Sequence, residues 1–413
     1  MLTMGLMILS CQYPKNPLSG GKTVATFSIE NVTGHDFSGV LSLNYNEIRE
    51  LEQYLDPGRL VVKYKNSISP VQLSDSDQDG KWDLLLFEAS LLRDEMKDAE
   101  FRYLREDAME NLHFIKKTQA ELWHKVTGTF QNGMYVGGGN FQKTDSLRVP
   151  DECTDHSYYI KYEGPGWESD KVGYRFYLDW RNAVDVFGKK TAAMVLKDVG
   201  TDGYESYHSM CPWGMDIMKV GNTLGIGSIA WWDGKKAVRV ENTDSVICKI
   251  EADGLLRSQV KTWYFGWDRD GNKVDLISLK TIDAGSRITH ERLSFSDTVS
   301  HIATGIRKEV NCELFTLTAE NQQWNCMATW GPQSLAGDTL GLAVIYPAGI
   351  ETNLTQDEDD WVVVFEQEGT IFDYFYLAAW TKEPGGIREK DQFMESLRAE
   401  MNLLSGPVKI TRR

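Results

Sequence analysis

Ionisable and phenolic side chains alternate with apolar ones between residues 174 and 181. Because successive side chains of a β-strand point to opposite faces, an extended backbone there predicts two unlike faces. One face carries Tyr174, Phe176, Leu178 and Trp180, and the other carries Arg175, Tyr177, Asp179 and Arg181. Solvated strand faces usually present Thr, Ser, Lys and Glu, whereas convergent Arg, Tyr and Asp suit a polar pocket. We therefore predict a core face and a site face; the alternative is a solvated ladder of charged side chains.

The residues before this strand add two candidate ligand contacts. Gly164, Pro165 and Gly166 form a turn whose glycines permit unusual backbone dihedrals. The turn predicts that the indole of Trp167 lies over the sheet edge. Upstream, the run DHSYYIKYEG contains His156, which we expect to enter the same pocket from a neighbouring strand.

A second group of polar and aromatic side chains lies between residues 204 and 221, and it includes Tyr207, His208, Trp213, Asp216 and Lys219. Imidazole exchanges protons near neutral pH, and a nearby carboxylate fixes its tautomer. We predict His208 as the proton-transfer group, with Asp216 as a possible partner. The alternative is a histidine that only satisfies a buried hydrogen bond.

The acidic run DSDQDGKWD has the spacing of a calcium loop, in which alternate carboxylates turn toward one point and glycine permits the sharp bend. Its candidate ligands are Asp75, Asp77, Asp79 and Asp83. The twelfth position is Leu86 rather than the usual bidentate glutamate, and strands are predicted on both sides. The prediction is a structural calcium ion; the alternative is an acidic hairpin turn.

The composition disfavours several classes of function. A net charge of −16 over 413 residues disfavours nucleic-acid binding, which needs a dense patch of Lys and Arg. Beyond Cys11 the cysteines are odd in number and form no close pair, which disfavours a disulfide framework or a zinc site. The chain has no GxSxG elbow, no phosphate-binding GxxxxGK loop and no HExxH motif. Thirteen Trp and seventeen Tyr favour a carbohydrate ligand, although strand propensity also explains them.

The first ten residues are mostly apolar and are followed by Cys11 and a polar, proline-containing stretch. The run ILSC resembles the lipobox of bacterial lipoproteins, which predicts a signal and tether over residues 1–22 and a lipid on Cys11. The expected location is the periplasm or the outer membrane, with membrane contact only through that lipid. Because no Lys or Arg precedes the apolar run, a truncated start or a chance match is the alternative.

Short runs of β-branched and aromatic residues recur along the rest of the chain and are separated by turn residues. This pattern predicts an all-β fold, and the length favours a large antiparallel β-sandwich over a small barrel. A helical pattern is clear at residues 388–403, which we expect to pack on the sandwich. We predict one domain over residues 23–413.

Two runs carry a resemblance to a known family: EGPGWESDKVGYRFYLDWRNAVDVFGKK and YHSMCPWGMDIMKVGNTLGIGSIA. They resemble the domain of unknown function 4861 family of exported Bacteroidota proteins, and the similarity extends to KKTQAELW and the acidic run. The resemblance implies a sandwich similar to those of galactose mutarotases and certain polysaccharide lyases. It also implies a role in polysaccharide degradation, since the family is associated with dehydration of the terminal uronic acid in ulvan oligosaccharides.

That chemistry can be assigned to residues. Elimination across C4–C5 of a uronate needs a base for the C5 proton, positive charge for the carboxylate and an acid for the departing oxygen. We expect Arg175 and Arg181 to bind the carboxylate and His208 to act as base, with no cofactor required. The remaining candidates are Tyr177 or Tyr174 as acid, Asp179 or Asp216 as orienting group, and His156, Trp167 and Trp213 as substrate contacts.

Two other functions stay open. Glycoside hydrolysis needs two carboxylates, for which Asp179, Asp185 and Asp216 are available. A non-catalytic glycan-binding lipoprotein would use the aromatic rings for sugar and the arginines for structural ion pairs.

Overall fold

The computed structural model describes residues 21–65, 67–77, 79–110, 112–406 and 408–413. The predicted lipobox, Cys11 and nearly all of the tether lie outside the described residues. Among the described helices, none has the length and apolar character that a membrane crossing needs.

The described chain is built almost entirely from strands. The first part contains β1 (Lys22–Asn31), β2 (Phe37–Asn44), α1 (Tyr45–Ile48), β3 (Leu60–Lys63), β4 (Ile68–Ser74), β5 (Leu84–Leu91), β6 (Met96–Tyr103) and α2 (Glu106–Met109). The middle contains β7 (Thr118–Glu121), β8 (Trp123–His124), β9 (Thr129–Gln131), β10 (Met134–Val136), β11 (Gln142–Lys143), β12 (Ser146–Arg148), β13 (Gly166–Ser169), β14 (Val172–Phe176), β15 (Val184–Lys189), β16 (Gly214–Asp216), β17 (Ala230–Trp232) and β18 (Ala237–Arg239). The last part contains β19 (Ser245–Asp253), β20 (Arg257–Arg269), β21 (Asn272–Asp283), β22 (Ile288–Val299), β23 (Ile302–Arg307), β24 (Glu313–Thr318), β25 (Trp324–Gly331), β26 (Leu340–Pro347), β27 (Thr352–Gln356), β28 (Asp360–Phe365), β29 (Gly369–Trp380), α3 (Lys390–Leu403) and β30 (Val408–Arg412).

The first six strands form one sheet with the last, in the order β2-β5-β4-β3-β6-β1-β30. Strand β1 alternates partly exposed and buried side chains, so Phe27 and Ile29 enter a core of their own. There Phe27 packs edge-on against Phe101, with ring centroids 5.2 Å apart. The chain end returns to its start, because β30 pairs antiparallel with β1. We call this unit the N-terminal sheet.

The remaining strands form the sandwich. A nine-stranded sheet, β12-β19-β20-β21-β22-β29-β26-β25-β24, packs against two five-stranded sheets, β16-β15-β14-β13-β7 and β18-β17-β23-β28-β27. Alternate side chains from both layers fill the space between them, such as Tyr174 on β14 and Tyr376 on β29, whose rings meet edge to face at 5.8 Å. The ladders between these strands are antiparallel. The predicted all-β antiparallel sandwich is confirmed.

The predicted C-terminal helix is confirmed as α3, which packs on the outer face of the nine-stranded sheet. Phe393, Leu397 and Met401 recur every four residues and are fully buried there, as the helical period requires. Gly341 on β26 allows the close approach, since a Cβ at that position would lie 2.7 Å from the ring of Phe393. The single-domain prediction for residues 23–413 stays a prediction.

Candidate active site

Three neighbouring strands of the five-stranded sheet β16-β15-β14-β13-β7 bring one cation and two carboxylates together. Arg175 on β14 lies opposite Asp185 on β15, and Asp216 on β16 lies opposite Phe187. These side chains share the face that points away from the sandwich core, whereas Tyr174 points into the core. The predicted separation of a core face from a polar face is therefore confirmed on β14.

The guanidinium of Arg175 is 2% exposed, and its hydrogen-bond donors are used by protein acceptors. Its Nε donates to Asp185 at 3.1 Å, and Nη2 donates to Asp185 and Asp216 at 2.7 Å each. Its Nη1 donates to the hydroxyl of Tyr207 at 3.0 Å and to the carbonyl of Tyr162 at 3.2 Å. A guanidinium has five N–H groups, so Arg175 has none left for the carboxylate of a substrate. These contacts indicate that Arg175 positions the carboxylates of Asp185 and Asp216.

The two aspartates and one tyrosine form a buried proton network around this cation. The side chains of Asp185 and Asp216 are both 1% exposed. Burial, and after it the charge of Asp216, raises the pKa of Asp185 to about 6. Tyr177 donates its hydroxyl to Asp185 at 2.8 Å, and burial raises the pKa of this phenol. The proton of Tyr177 is thus directed at Asp185 and away from solvent.

His208 is the solvent-exposed end of this network. It ends a single 3₁₀ turn, Ser206–His208, and its Nε2 lies 3.4 Å from Oδ2 of Asp216. The side chain of His208 is 41% exposed, and the ring of Tyr207 packs against it with centroids 4.6 Å apart. The hydrogen bond to Asp216 raises the pKa of His208. Because Nε2 is directed at Asp216, Nδ1 is the nitrogen available to a ligand.

The extended backbone predicted through residue 181 is wrong, because β14 ends at Phe176 and a hairpin loop follows. Asp179 causes the turn: its carboxylate accepts the backbone N–H of Arg181 at 2.9 Å, and its carbonyl accepts that of Asn182 at 3.1 Å. Trp180 is consequently 44% exposed and is not a core residue. The loop nevertheless brings Arg181 back to the Arg175 network, where its guanidinium carbon lies 3.9 Å from the centre of the Tyr177 ring.

Arg181 is surrounded by three carboxylates. It contacts Asp179 at 2.5 Å, Glu163 at 2.7 Å and Asp155 at 2.8 Å. The side chain of Asp179 is 2% exposed and that of Glu163 is 8% exposed, whereas that of Asp155 is 42% exposed. The Nη1 contact with Asp155 is therefore the one that a solvent-borne carboxylate can reach.

The segment that supplies Asp155 and Glu163 has an unusual backbone. His156, Tyr158, Tyr162 and Glu163 have φ values of 55°, 58°, 37° and 69°, in the region that side chains other than glycine rarely adopt. Such conformations persist where surrounding contacts hold them, and they concentrate at functional sites. Here Tyr158 stacks on Tyr204 at 4.6 Å, and Glu163 accepts the backbone N–H of His156 at 3.0 Å.

In the same segment, Asp155 links His156 to Arg181. Its Oδ1 lies 2.5 Å from Nδ1 of His156 and 2.8 Å from Nη1 of Arg181. The ligand atoms of Asp155, His156 and Glu163 lie within 4.8 Å of one another, close enough to share a metal ion. Arg181 already provides a positive charge at that point, since it pairs with both Asp155 and Glu163.

Two predicted site residues lie elsewhere. Tyr174 and Trp167 stack on each other in the sandwich core, where Tyr174 donates to the carbonyl of Arg287 at 2.7 Å. The indole of Trp167 donates to Thr289 at 2.9 Å. The structure does not bring either side chain to the Arg175 network. Trp213, by contrast, is half-buried against the site, 6.1 Å from the ring of Phe187.

The acidic loop converges only in part. The carboxylates of Asp75, Asp77 and Asp79 lie within 4.8 Å of one another, as ligands of one cation would. Asp83 is used differently, because it accepts both the backbone N–H, at 2.6 Å, and the hydroxyl of Ser76. Three of the four predicted ligands, Asp75, Asp77 and Asp79, are therefore close together. The fourth, Asp83, bonds to Ser76 at the start of the loop.

Sequence reasoning did not select Asp155 or Glu163. It placed Tyr207 in the group at residues 204–221 without giving it a role, and it considered Asp185 only for hydrolysis. Each is remote from its partner along the chain or lies in a segment whose conformation depends on tertiary contacts. The run DHSYYIKYEG was the available signal, since it contains Asp155 and Glu163 beside His156.

Two solved structures show a distant similarity to this chain. One is an alpha-mannosidase from Enterococcus faecalis V583, and the other is a protein in the Glycosyl Hydrolase Family 38 from Enterococcus faecalis. Each is 9% identical with a TM-score of 0.45, over 94% of this chain and 46% or 47% of the other. The chain therefore spans about half the length of these structures. No protein with curated annotation matches the sequence significantly.

One family model matches a part of the chain that includes the Arg175 network, residues 155–163, His208 and the acidic loop. The matching family model extends over residues 39–410, which is most of the chain. The chain belongs to the family described as Domain of unknown function (DUF4861).

Proposed function

We propose that the protein is a carbohydrate-active elimination enzyme that acts on uronic-acid-containing oligosaccharides, with His208 as the proton-transfer group. The observation that carries the proposal is the contrast between a 41% exposed imidazole and the 1% exposed carboxylate that orients it. A general base must reach substrate, and a fixed tautomer directs its free nitrogen outward. The proposal includes export, with a lipid anchor at Cys11.

In the reaction, Nδ1 of His208 takes the proton from C5 of the uronate, and the electrons of the broken C5–H bond form the C4–C5 double bond. The C4–O bond breaks, and the departing oxygen receives a proton from the imidazolium. The products are a 4,5-unsaturated uronate and either water or a sugar. One imidazole thus serves as base and then as acid, and the base is regenerated.

The proposed roles of the other residues follow from their contacts. Asp216 orients His208, and Arg175 positions Asp216 and Asp185. Tyr177 directs its proton to Asp185, so we assign it a positioning role. Arg181 binds the substrate carboxylate, which replaces Asp155 at Nη1 and forms the charge-assisted pair that a guanidinium favours.

The burial of the acidic groups favours elimination over glycoside hydrolysis. Hydrolysis needs two carboxylates on either side of a glycosidic bond. Asp179, Asp185 and Asp216 are 2%, 1% and 1% exposed at their side chains, and each is paired with an arginine. Those three carboxylates hold arginines and do not face a sugar.

The test is ultraviolet absorbance and mass spectrometry of the purified protein mixed with uronate-terminated oligosaccharides. We expect a new chromophore from the unsaturated uronate. Loss of one water mass identifies a dehydratase, and a chromophore with chain cleavage identifies a lyase.

Two results would overturn the proposal. Chain cleavage without a chromophore would establish hydrolysis. An increase in melting temperature with sugar, but no product, would establish a glycan-binding protein.

A further inference from the structure

A cavity of about 550 Å³ lies outside the sandwich, on the opposite side of the nine-stranded sheet from the Arg175 network. One wall is formed by residues 37–41 of β2, from the N-terminal sheet, and another by Glu400 and Leu403 of α3. Its floor is the outer face of the nine-stranded sheet. The volume is within the range of about 300–1,000 Å³ that is typical of ligand pockets.

The strand register explains the composition of this floor. Gln259 on β20 lies opposite Thr281 on β21, Thr281 lies opposite His290 on β22, and His290 lies opposite Phe375 on β29. An amide, a hydroxyl, an imidazole and a phenyl ring therefore form one row across four strands. Adjacent residues such as Ile282 point into the core, so the row points away from it.

The row has the features of a sugar-binding surface. The imidazole of His290 stacks face to face on the ring of Phe375, with centroids 4.5 Å apart and planes 20° apart, and its Nε2 lies 2.8 Å from Oδ1 of Asp373. The imidazole face that can meet a sugar ring is therefore the one on the side of Thr281, away from Phe375. Gln259 donates to the hydroxyl of Thr281 at 3.0 Å, and the amide carbonyl keeps acceptor capacity. A sheet face covered by another unit is normally apolar, because polar groups lose water when they are covered. This polar row is consistent with polar ligand atoms in the cavity.

The charges of the cavity select an uncharged ligand. Arg257 is neutralised by Asp283 through two hydrogen bonds of 2.7 and 2.8 Å. Arg292 is paired with Asp373, 3.2 Å away. Glu400 is half-buried, and its carboxylate makes no hydrogen bond or ion pair with the residues that the structure describes. Burial raises the pKa of Glu400 and the charge of Arg287 opposes that rise, and a carboxyl group accepts hydrogen bonds from hydroxyl groups in either protonation state. Because Arg257 and Arg292 are both paired, neither guanidinium is free to bind an anion.

We propose that this cavity is a second, non-catalytic binding site for an uncharged saccharide of one or two rings. The sugar ring lies against the imidazole face of His290 on the side of Thr281, and Glu400 and Thr281 bind its hydroxyl groups. The site is independent of the proposed elimination reaction, because the two sites lie on opposite sides of the nine-stranded sheet.

The experiment is calorimetric titration of the full chain with maltose, cellobiose, lactose and rhamnose, and with glucuronic acid as the anionic probe. We expect at least one neutral sugar to bind in this cavity, whereas glucuronic acid should bind only at the proposed catalytic site. Glu400→Ala and Thr281→Val should each weaken binding about tenfold or more, because each removes a hydrogen bond to the sugar.

The control is Lys261→Ala, which changes a residue of β20 outside the cavity lining and should leave binding unchanged. His208→Gln should also leave it unchanged, which separates this site from the catalytic one. Melting temperatures verify that each variant is folded. The proposal is overturned if no neutral sugar binds, if Glu400→Ala and Thr281→Val weaken glucuronic acid binding as much as neutral-sugar binding, or if both folded variants bind the neutral sugar normally.

Discussion

Two buried charge networks lie on the same face of one five-stranded sheet, and they end differently. In the first, the carboxylate of Glu168 accepts a hydrogen bond from the ammonium group of Lys189 at 2.5 Å. It also accepts hydrogen bonds from the backbone N–H groups of Val195 and Leu196 at 2.8 Å each. Lys189 also donates to the carbonyl of Ser169 at 2.6 Å, and both charged side chains are 0% exposed. This network is closed, because its members bond to one another and to the backbone.

The second network, around Arg175, is equally buried at its centre but reaches solvent at His208. Burial alone therefore does not identify a catalytic group, since a buried ion pair without an exposed member has no route to substrate. Under the proposed function, the open network performs proton transfer, and the closed network stabilises the fold. Substitutions can test each half of this distinction.

The largest expected effect is on turnover in His208→Gln. Glutamine retains a hydrogen-bond donor to Asp216 but cannot take a proton, so turnover should fall about 10²–10⁴-fold with little change in melting temperature. The matched control is His301→Gln, because His301 is 51% exposed and lies 3.3 Å from Glu366. Product formation by both variants is measured by absorbance. Equal turnover in His208→Gln and the wild type would remove the catalytic role of the open network.

Lys189→Met tests the closed network. It leaves the carboxylate of Glu168 buried without its cation, which should lower the free energy of unfolding by about 3–5 kcal/mol. Lys249→Met is the control, since the pair of Lys249 with Glu251 is partly exposed and should contribute about 0–1 kcal/mol. Urea unfolding measures both, and turnover per folded molecule should stay at the wild-type value. A loss of turnover in folded Lys189→Met would mean that the two networks are coupled.

The same contrast shows how far sequence reasoning reaches. The alternation at Tyr174 and Arg175 could be read directly, because a strand has a period of two and the sandwich core takes one side. That reasoning failed beyond Phe176, where Asp179 bends the chain through its own backbone contacts. The face was predictable, but the end of the strand was not.

Partners from separate segments were harder to predict. His208 and Asp216 are eight positions apart and could be paired from sequence by their chemistry. Sequence reasoning did not suggest the pair of Glu168 with Lys189, or that of Glu163 with Arg181, because each depends on strand register or on the positive φ values at residues 156–163. Exposure, which distinguishes His208 from Asp216, is a property of the folded chain.

The pH dependence sharpens the role of Asp216. A base must be neutral, so the rate should rise with pH through the pKa of His208, which Asp216 raises above its ordinary value of about 6.5. Asp216→Asn removes the main cause of that shift, so the midpoint of the rate profile should move to lower pH. The contribution of His208 to stability has the opposite sense. Its raised pKa stabilises the fold at low pH, and this stabilisation is lost as the pH rises through the pKa of His208 in the folded protein. Rate profiles of both proteins measure the midpoint, and an unchanged midpoint in Asp216→Asn would contradict the assignment.

The acidic loop gives the smallest expected effect and differs from both networks, because Asp77 and Asp79 are exposed. Calcium should raise the free energy of unfolding by about 1.4 kcal/mol when its concentration is about ten times Kd. Asp77→Asn should reduce this increase, whereas Asp83→Asn should lower the basal stability and leave the increase intact, since Asp83 bonds to Ser76. Thermal melting with calcium and with chelator measures both variants. A reduced calcium effect in Asp83→Asn would mean that calcium pulls Asp83 from Ser76 and that all four aspartates are ligands.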